Sequence, residues 1–132
     1  MSTKLLNKAD DNLKVAVYSE SNNFYDCAVS RYYYYLYQNI IVYVSQNVVG
    51  YSSVNTQNSH SDTIDEFIKS IKNRYNLNYA EIFKIQLIQQ LRTQRNKSDY
   101  HDRELKTQFV FKRCFKDNYD TVTSFLKAKA VI

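Results

Sequence analysis

Across 132 residues the chain has no proline and a single glycine, Gly50. A β-sandwich or barrel turns about every 8–12 residues and draws on those two residue types to do so. An all-β fold is therefore nearly excluded, and helices are the expected elements. With 44% apolar and 23% charged residues, the chain suits one compact domain over residues 1–132, with no linker or internal repeat.

Hydrophobic periodicity marks five helical segments. A short first one carries Leu6, Ala9, Leu13, Ala16 and Val17 on one stripe. The second, from about Phe24 to Val49, is apolar nearly all round, as a central helix must be, and Gly50 then suits a left-handed C-terminal cap. A polar loop rich in Ser and Asn follows. The third segment opens near Ser61 to Thr63, where Thr63 and Glu66 have capping-box spacing, and turns Ile64, Phe67, Ile68, Ile71 and Tyr75 one way. The fourth begins near Tyr79 with a stripe of Phe83, Leu87, Ile88 and Leu91. The fifth, from about Asp102 to Ala128, repeats Phe111, Phe115, Tyr119, Val122 and Leu126. The expected fold is all-α, an antiparallel bundle of four to five helices.

Eighteen Lys+Arg against thirteen Asp+Glu leave a charge of +5, a moderate excess that suits a polyanionic partner without requiring one. Cys27 and Cys114 lie far apart with no metal-ligand spacing, so reduced thiols and a cytoplasmic setting are expected. The N-terminus turns polar after Leu5 and Leu6, which is not a secretory pattern. Residues from Tyr32 to Ser61 carry no charge, yet Gln38, Asn39, Ser45, Gln46 and Asn47 interrupt them before a span of about 20 apolar residues forms. No membrane segment is expected.

The informative junction is the end of the fourth segment. At about 100° per residue, Arg95 falls inside the arc of Leu87, Leu91 and Ile88, and His101 returns to the direction of Phe83 if the helix continues. A cation on a packing arc needs a carboxylate, water or an anionic ligand. Asp99, four residues on, is the plain partner, and spacing by itself favours an Arg95–Asp99 pair ending the helix. The sharper reading makes Arg95 the stabiliser of a phosphate and His101 a proton-transfer group.

Arg95-Asn96, four residues and then His101 resemble the Arg, polar, four-to-six, His signature of the HEPN superfamily of helical RNA-associated domains. Phe24-Tyr25-Asp26-Cys27-Ala28-Val29-Ser30-Arg31-Tyr32-Tyr33 resembles the aromatic-Tyr-Asp, Ser-Arg, Tyr-Tyr helix of its small prokaryotic members. Arg95-Asn96-Lys97-Ser98-Asp99-Tyr100 is similar to their Arg-x-x-Ala-Asp-Tyr run, with Ser98 where alanine is usual, and Ser59-His60 resembles their loop.

The resemblance implies a helical domain that forms a homodimer, with two Arg and His motifs facing one composite groove where RNA is cleaved without a metal or cofactor. The ribose 2′-hydroxyl attacks its own phosphate, which excludes DNA. By position, Arg95 stabilises charge on the phosphate, His101 moves a proton and Asn96 orients substrate or backbone. A toxin or phage-defence setting is implied, with an antitoxin or a nucleotidyltransferase as partner. One departure is Arg103, standing where some members carry a modified tyrosine. The alternative is a non-catalytic module that binds RNA, a nucleotide or a nucleotidyltransferase. An inhibitor or scaffold protein is the third reading.

Arg92, Lys97 and Arg103 surround the motif as candidate phosphate contacts. Arg31 either reaches the groove or pairs with Asp26 or another acid. Tyr32 to Tyr35, with Tyr37 and Tyr43, are assigned to core or interface, because four consecutive tyrosines point around a whole turn. His60 is read as a solvated or capping residue outside the site. Lys112, Arg113, Lys116, Lys127 and Lys129 are the solvated face of the last helix. No Gly-rich phosphate loop, HExxH or nucleophile elbow is present, which sets aside P-loop hydrolysis and metalloprotease chemistry.

Overall fold

The computed structural model describes residues 2–51, 59–100 and 105–132. Every regular element among them is helical: α1 (Ser2–Ser21), α2 (Tyr25–Asn47), α3 (Ser59–Tyr75), α4 (Tyr79–Tyr100), α5 (Gln108–Phe111) and α6 (Asp117–Ala128). A π turn (Lys112–Lys116) joins α5 to α6 with right-handed backbone angles on both sides, so the three form one continuous last helix. The chain is thus the all-α bundle its periodicity announced.

α2 is the centre, packed against α1, α3 and α4. Ala28, Val29, Leu36, Ile40 and Val44 are fully buried, and most of its tyrosines join them. α1 runs 20 residues rather than forming the short segment expected. Ala9 and Ala16 have no exposed surface, while Val17 and Leu6 reach the surface. The two alanines let α1 lie close on α2, so larger residues beside them stay at the rim. Phe24, the expected start of the second segment, is the N-cap of α2 and is exposed; Tyr25 takes the inner position, stacked on Phe111 with centroids 5.0 Å apart. Gly50 adopts φ +79°, the left-handed conformation anticipated at the end of α2.

Side-chain pairings give the helix directions. Asn12 meets Gln38 and Glu20 meets Tyr32, so α1 and α2 are antiparallel. Tyr33 meets His60 and Tyr43 meets Arg74, so α3 runs parallel to α2. Asp65 meets Gln89 and His60 meets Arg95, which makes α4 antiparallel to α3. Glu81 lies by Lys129, and Gln94 and Lys97 line one pocket with Cys114, so the last helix is antiparallel to α4. The parallel step from α2 to α3 returns the start of α3 to the middle of α2. His60 therefore arrives beside Tyr33 and not at the far end of the bundle.

The start of α3 differs from the capping-box expectation. The helix begins at Ser59, and Thr63 lies inside it, buried, with its hydroxyl 2.9 Å from the Tyr51 hydroxyl. The apolar stripe is as expected: Ile64, Phe67 and Ile71 are fully buried. On α4 the stripe is rotated. Counted from Ile85, the buried Leu87, Ile88, Leu91, Arg95 and Ser98 span an arc of about 160° with Arg95 near its centre. Phe83, expected on that stripe, falls outside the arc and is 63% exposed.

The last helix starts at Gln108, later than the Asp102 expected, and Leu105 to Thr107 precede it without helical structure. All five residues of its expected stripe are buried. The wide π turn aligns Phe115 with Tyr119, and Tyr119 with Tyr32 of α2 at 4.7 Å. Thr107 caps the helix, its Oγ1 accepting from the Val110 N–H at 3.2 Å. Replacing it with Ala removes that acceptor. Thr107→Ala is expected to cost about 1 kcal/mol, read as a lower urea midpoint with an unchanged slope.

Candidate functional site

Three helices converge on Arg95. α4 carries it on the packing arc, α2 supplies Tyr33 and Tyr34, and the first turn of α3 supplies His60. Its guanidinium lies over both rings, with Cζ 5.0 Å from the Tyr33 centroid and 5.4 Å from that of Tyr34. Such contacts are worth about 0.5–2 kcal/mol each, more as water is excluded. Nη1 donates to Asp99 Oδ2 at 3.2 Å, and Nη2 lies 3.4 Å from His60 Nδ1. Nε is buried with no partner among the described residues, as are Ser98 Oγ and Gln94 Nε2.

The Arg95–Asp99 pair read from spacing is formed, and its guanidinium end is the inner one: the side chains are 8% and 26% exposed. Burial works against the charge on Arg95, but Tyr34, Asp99 and Tyr33 together hold its pKa above the ordinary value. Burial also raises the Tyr33 phenol, and the pull of Arg95 in the other direction does not offset it. Arg95 therefore stays a cation in contact with a phenol that stays protonated.

His60 is the residue sequence reasoning left out. Its ring stacks on Tyr37 with centroids 4.0 Å apart and planes 14° apart, and it lies edge-on to Tyr34. Nδ1 is 3.0 Å from the Tyr33 hydroxyl. Desolvation, then the charges of Arg95 and Arg92, lower its pKa below the ordinary 6.5, which favours neutral imidazole. A histidine beside a polar loop gives no local signal of this placement. A hint lies in four consecutive tyrosines on α2, one turn of which has to face whatever helix follows the loop.

The other residues singled out are distributed unevenly. Arg92 is half-buried and near enough to act on His60; its Nε donates to Gln89 Oε1 at 3.2 Å, and Gln89 donates in turn to Asp65 of α3. Asn96 is half-buried one turn after Arg92 on the flank of α4 beside Arg95. Lys97 points away, lining a separate pocket of about 340 Å³ with Gln89, Gln90, Thr93, Gln94 and Cys114. Arg31 is exposed and donates to Asn12 of α1 at 2.9 Å, while Asp26 accepts from the Leu105 N–H, so the two are engaged with different partners. α1 draws Arg31 to the opposite side of α2 from His60. His101 and Arg103 lie outside the described residues.

Among the basic residues of the last helix, Lys116 pairs with Asp120 at 2.9 Å and lies over the Tyr32 and Tyr119 rings. Lys129 pairs with Glu81 at 3.2 Å. These two do more than face solvent: each seals an aromatic edge with its stem and charge. Among the described residues no helix is long and apolar enough to cross a membrane, and no three His, Cys, Asp or Glu side chains gather as a metal site.

No family model matches the chain, and neither a curated protein nor a solved structure does.

Proposed function

We propose that the chain is a metal-independent endoribonuclease of the HEPN type, acting as a homodimer whose two Arg95–His101 segments face one groove, in a toxin or phage-defence role. The observation that carries this reading is the state of Arg95. A guanidinium is held at the end of α4 by Asp99 and two tyrosine faces, with its Nε–H buried and without an acceptor among the described residues. A fixed donor set of that kind is what stabilises charge on a phosphate as a 2′-hydroxyl attacks it, because no reorganisation is needed at the moment of reaction. His101, six positions on, is the proton-transfer group in this reading, Asn96 orients the substrate, and Arg92 draws in the phosphate backbone. A cytoplasmic setting and an antitoxin or nucleotidyltransferase partner complete the proposal.

The test is cleavage of a labelled RNA pool in excess EDTA by wild type and His101→Ala, with the fragment ends identified. Wild type alone is expected to leave 2′,3′-cyclic phosphate ends. Intact RNA with a folded wild-type dimer sinks autonomous cleavage.

A second reading has its own support. Arg95 is only 7% exposed, and both Nη atoms are already engaged by Asp99 and His60. A cation so enclosed suits a non-catalytic module that recognises RNA, a nucleotide or a partner protein. Under this reading RNA binding persists in His101→Ala and no fragments form with either protein.

A further inference from the structure

Between His60 and Arg95, the hydrogen bond depends on which imidazole nitrogen carries the proton. A guanidinium has donors only. The Nη2 of Arg95 at 3.4 Å and the Tyr33 hydroxyl at 3.0 Å both address the same imidazole nitrogen, Nδ1. A proton on Nδ1 could go to the Tyr33 hydroxyl, which also accepts, but it would leave the Arg95 Nη2–H facing another N–H. Only the Nε2–H tautomer lets Nδ1 accept from Arg95, with the Tyr33 hydroxyl sharing the same lone pair.

We propose that His60 is the positioning residue of Arg95: as a neutral acceptor it fixes the outer arm of the guanidinium over the Tyr33 and Tyr34 rings, and as an imidazolium it releases that arm. The geometry is specific to this residue. His60 is itself held flat against Tyr37 and edge-on to Tyr34, which fixes the plane of its ring. Among the described residues, the groups facing it are Tyr33, Tyr34 and Tyr37 from α2 and Arg92 and Arg95 from α4, none of which is an acid. Asp99 neutralises Arg95 from its other side, on Nη1, and leaves the Nη2 arm to His60. Burial and the two arginines keep the ring neutral to a pH below its ordinary 6.5.

The sign follows from those contacts. Above its lowered pKa, His60 is neutral and Arg95 is held. As the pH falls through that value, the ring gains a proton between two cations, and the arm of Arg95 is displaced. The effect on cleavage rests on the ribonuclease proposal above; the effect on the histidine does not.

Two measurements separate them. Long-range nitrogen–proton NMR of wild type across pH 5–8 is expected to show the Nε2–H tautomer of His60, titrating below an ordinary imidazole, and Arg95→Gln should move that titration upward. An Nδ1–H tautomer, or a titration unmoved by Arg95→Gln, overturns the proposal whether or not the protein cuts RNA. In the cleavage assay, His60→Leu is expected to lose on the order of 100-fold, as a displaced catalytic group does. His60→Asn, whose carboxamide oxygen replaces Nδ1 as an acceptor that cannot be protonated in this range, should restore most of the rate. It should also remove the acid limb that coincides with the His60 titration. An unchanged acid limb in His60→Asn overturns the proposal. A wild type that never cleaves, with the NMR result as expected, removes the ribonuclease reading and leaves the positioning of Arg95 standing.

Discussion

Arg95→Lys is expected to lower RNA cleavage by roughly 10²- to 10³-fold, the range seen when one preorganised donor to a developing oxyanion is lost. The charge survives this change, but the planar fork does not. A lysine ammonium cannot lie over Tyr33 and Tyr34 while also reaching Asp99 on one side and His60 on the other, as the guanidinium does. Some stability goes with it, about 1 kcal/mol, since His60 is half-buried and Asp99 is exposed to water. Cleavage is therefore compared at a temperature well below the unfolding midpoint of the variant, with the midpoint measured in the same buffer. A variant that cuts at the wild-type rate would make Arg95 a structural cation and end the catalytic reading.

The largest loss of stability is expected at Phe115. Its side chain is fully buried in the π turn, and its ring centroid lies 5.7 Å from Tyr119, 6.2 Å from Phe111 and 6.4 Å from Tyr32. Phe115→Ala removes the ring that ties the last helix to α2. The aromatic rings around it cannot collapse into the space without leaving their own stacking, so most of the cavity remains. A cost of about 3–5 kcal/mol is expected, measured as the fall in unfolding free energy in urea with the slope checked for two-state behaviour. A loss below about 1 kcal/mol would show that the last helix is not packed on α2 as described.

Much of the architecture was legible in the residue order. Proline absence, one glycine and apolar residues at intervals of three and four are local properties, and a helix is bonded locally, so α2 is the central helix and α3 and the last helix carry the stripes expected of them. The misses have local causes too. Apolar spacing alone puts Phe83 on the α4 stripe. The buried arc is centred on Arg95 instead, since α2 presents tyrosine faces and a phenol that can hold a guanidinium. Thr63 had the spacing of a cap, but a helix can begin earlier wherever its first turn finds another partner, and here Thr63 bonds Tyr51 from inside α3.

The candidate site divides along the same line. Arg95 and Asp99 are four residues apart on one helix, so their pairing was written in the sequence and formed as written. His60 is 35 residues from Arg95, and no periodicity connects them. The residue order alone determined that these are helices, which faces are apolar and that a cation sits on one of them. Only the tertiary structure decided what that cation touches. Because α3 packs parallel to α2, its first turn returns to the level of Tyr33, and the contact between two distant side chains depends on that packing direction, which short-range hydrogen bonding does not encode.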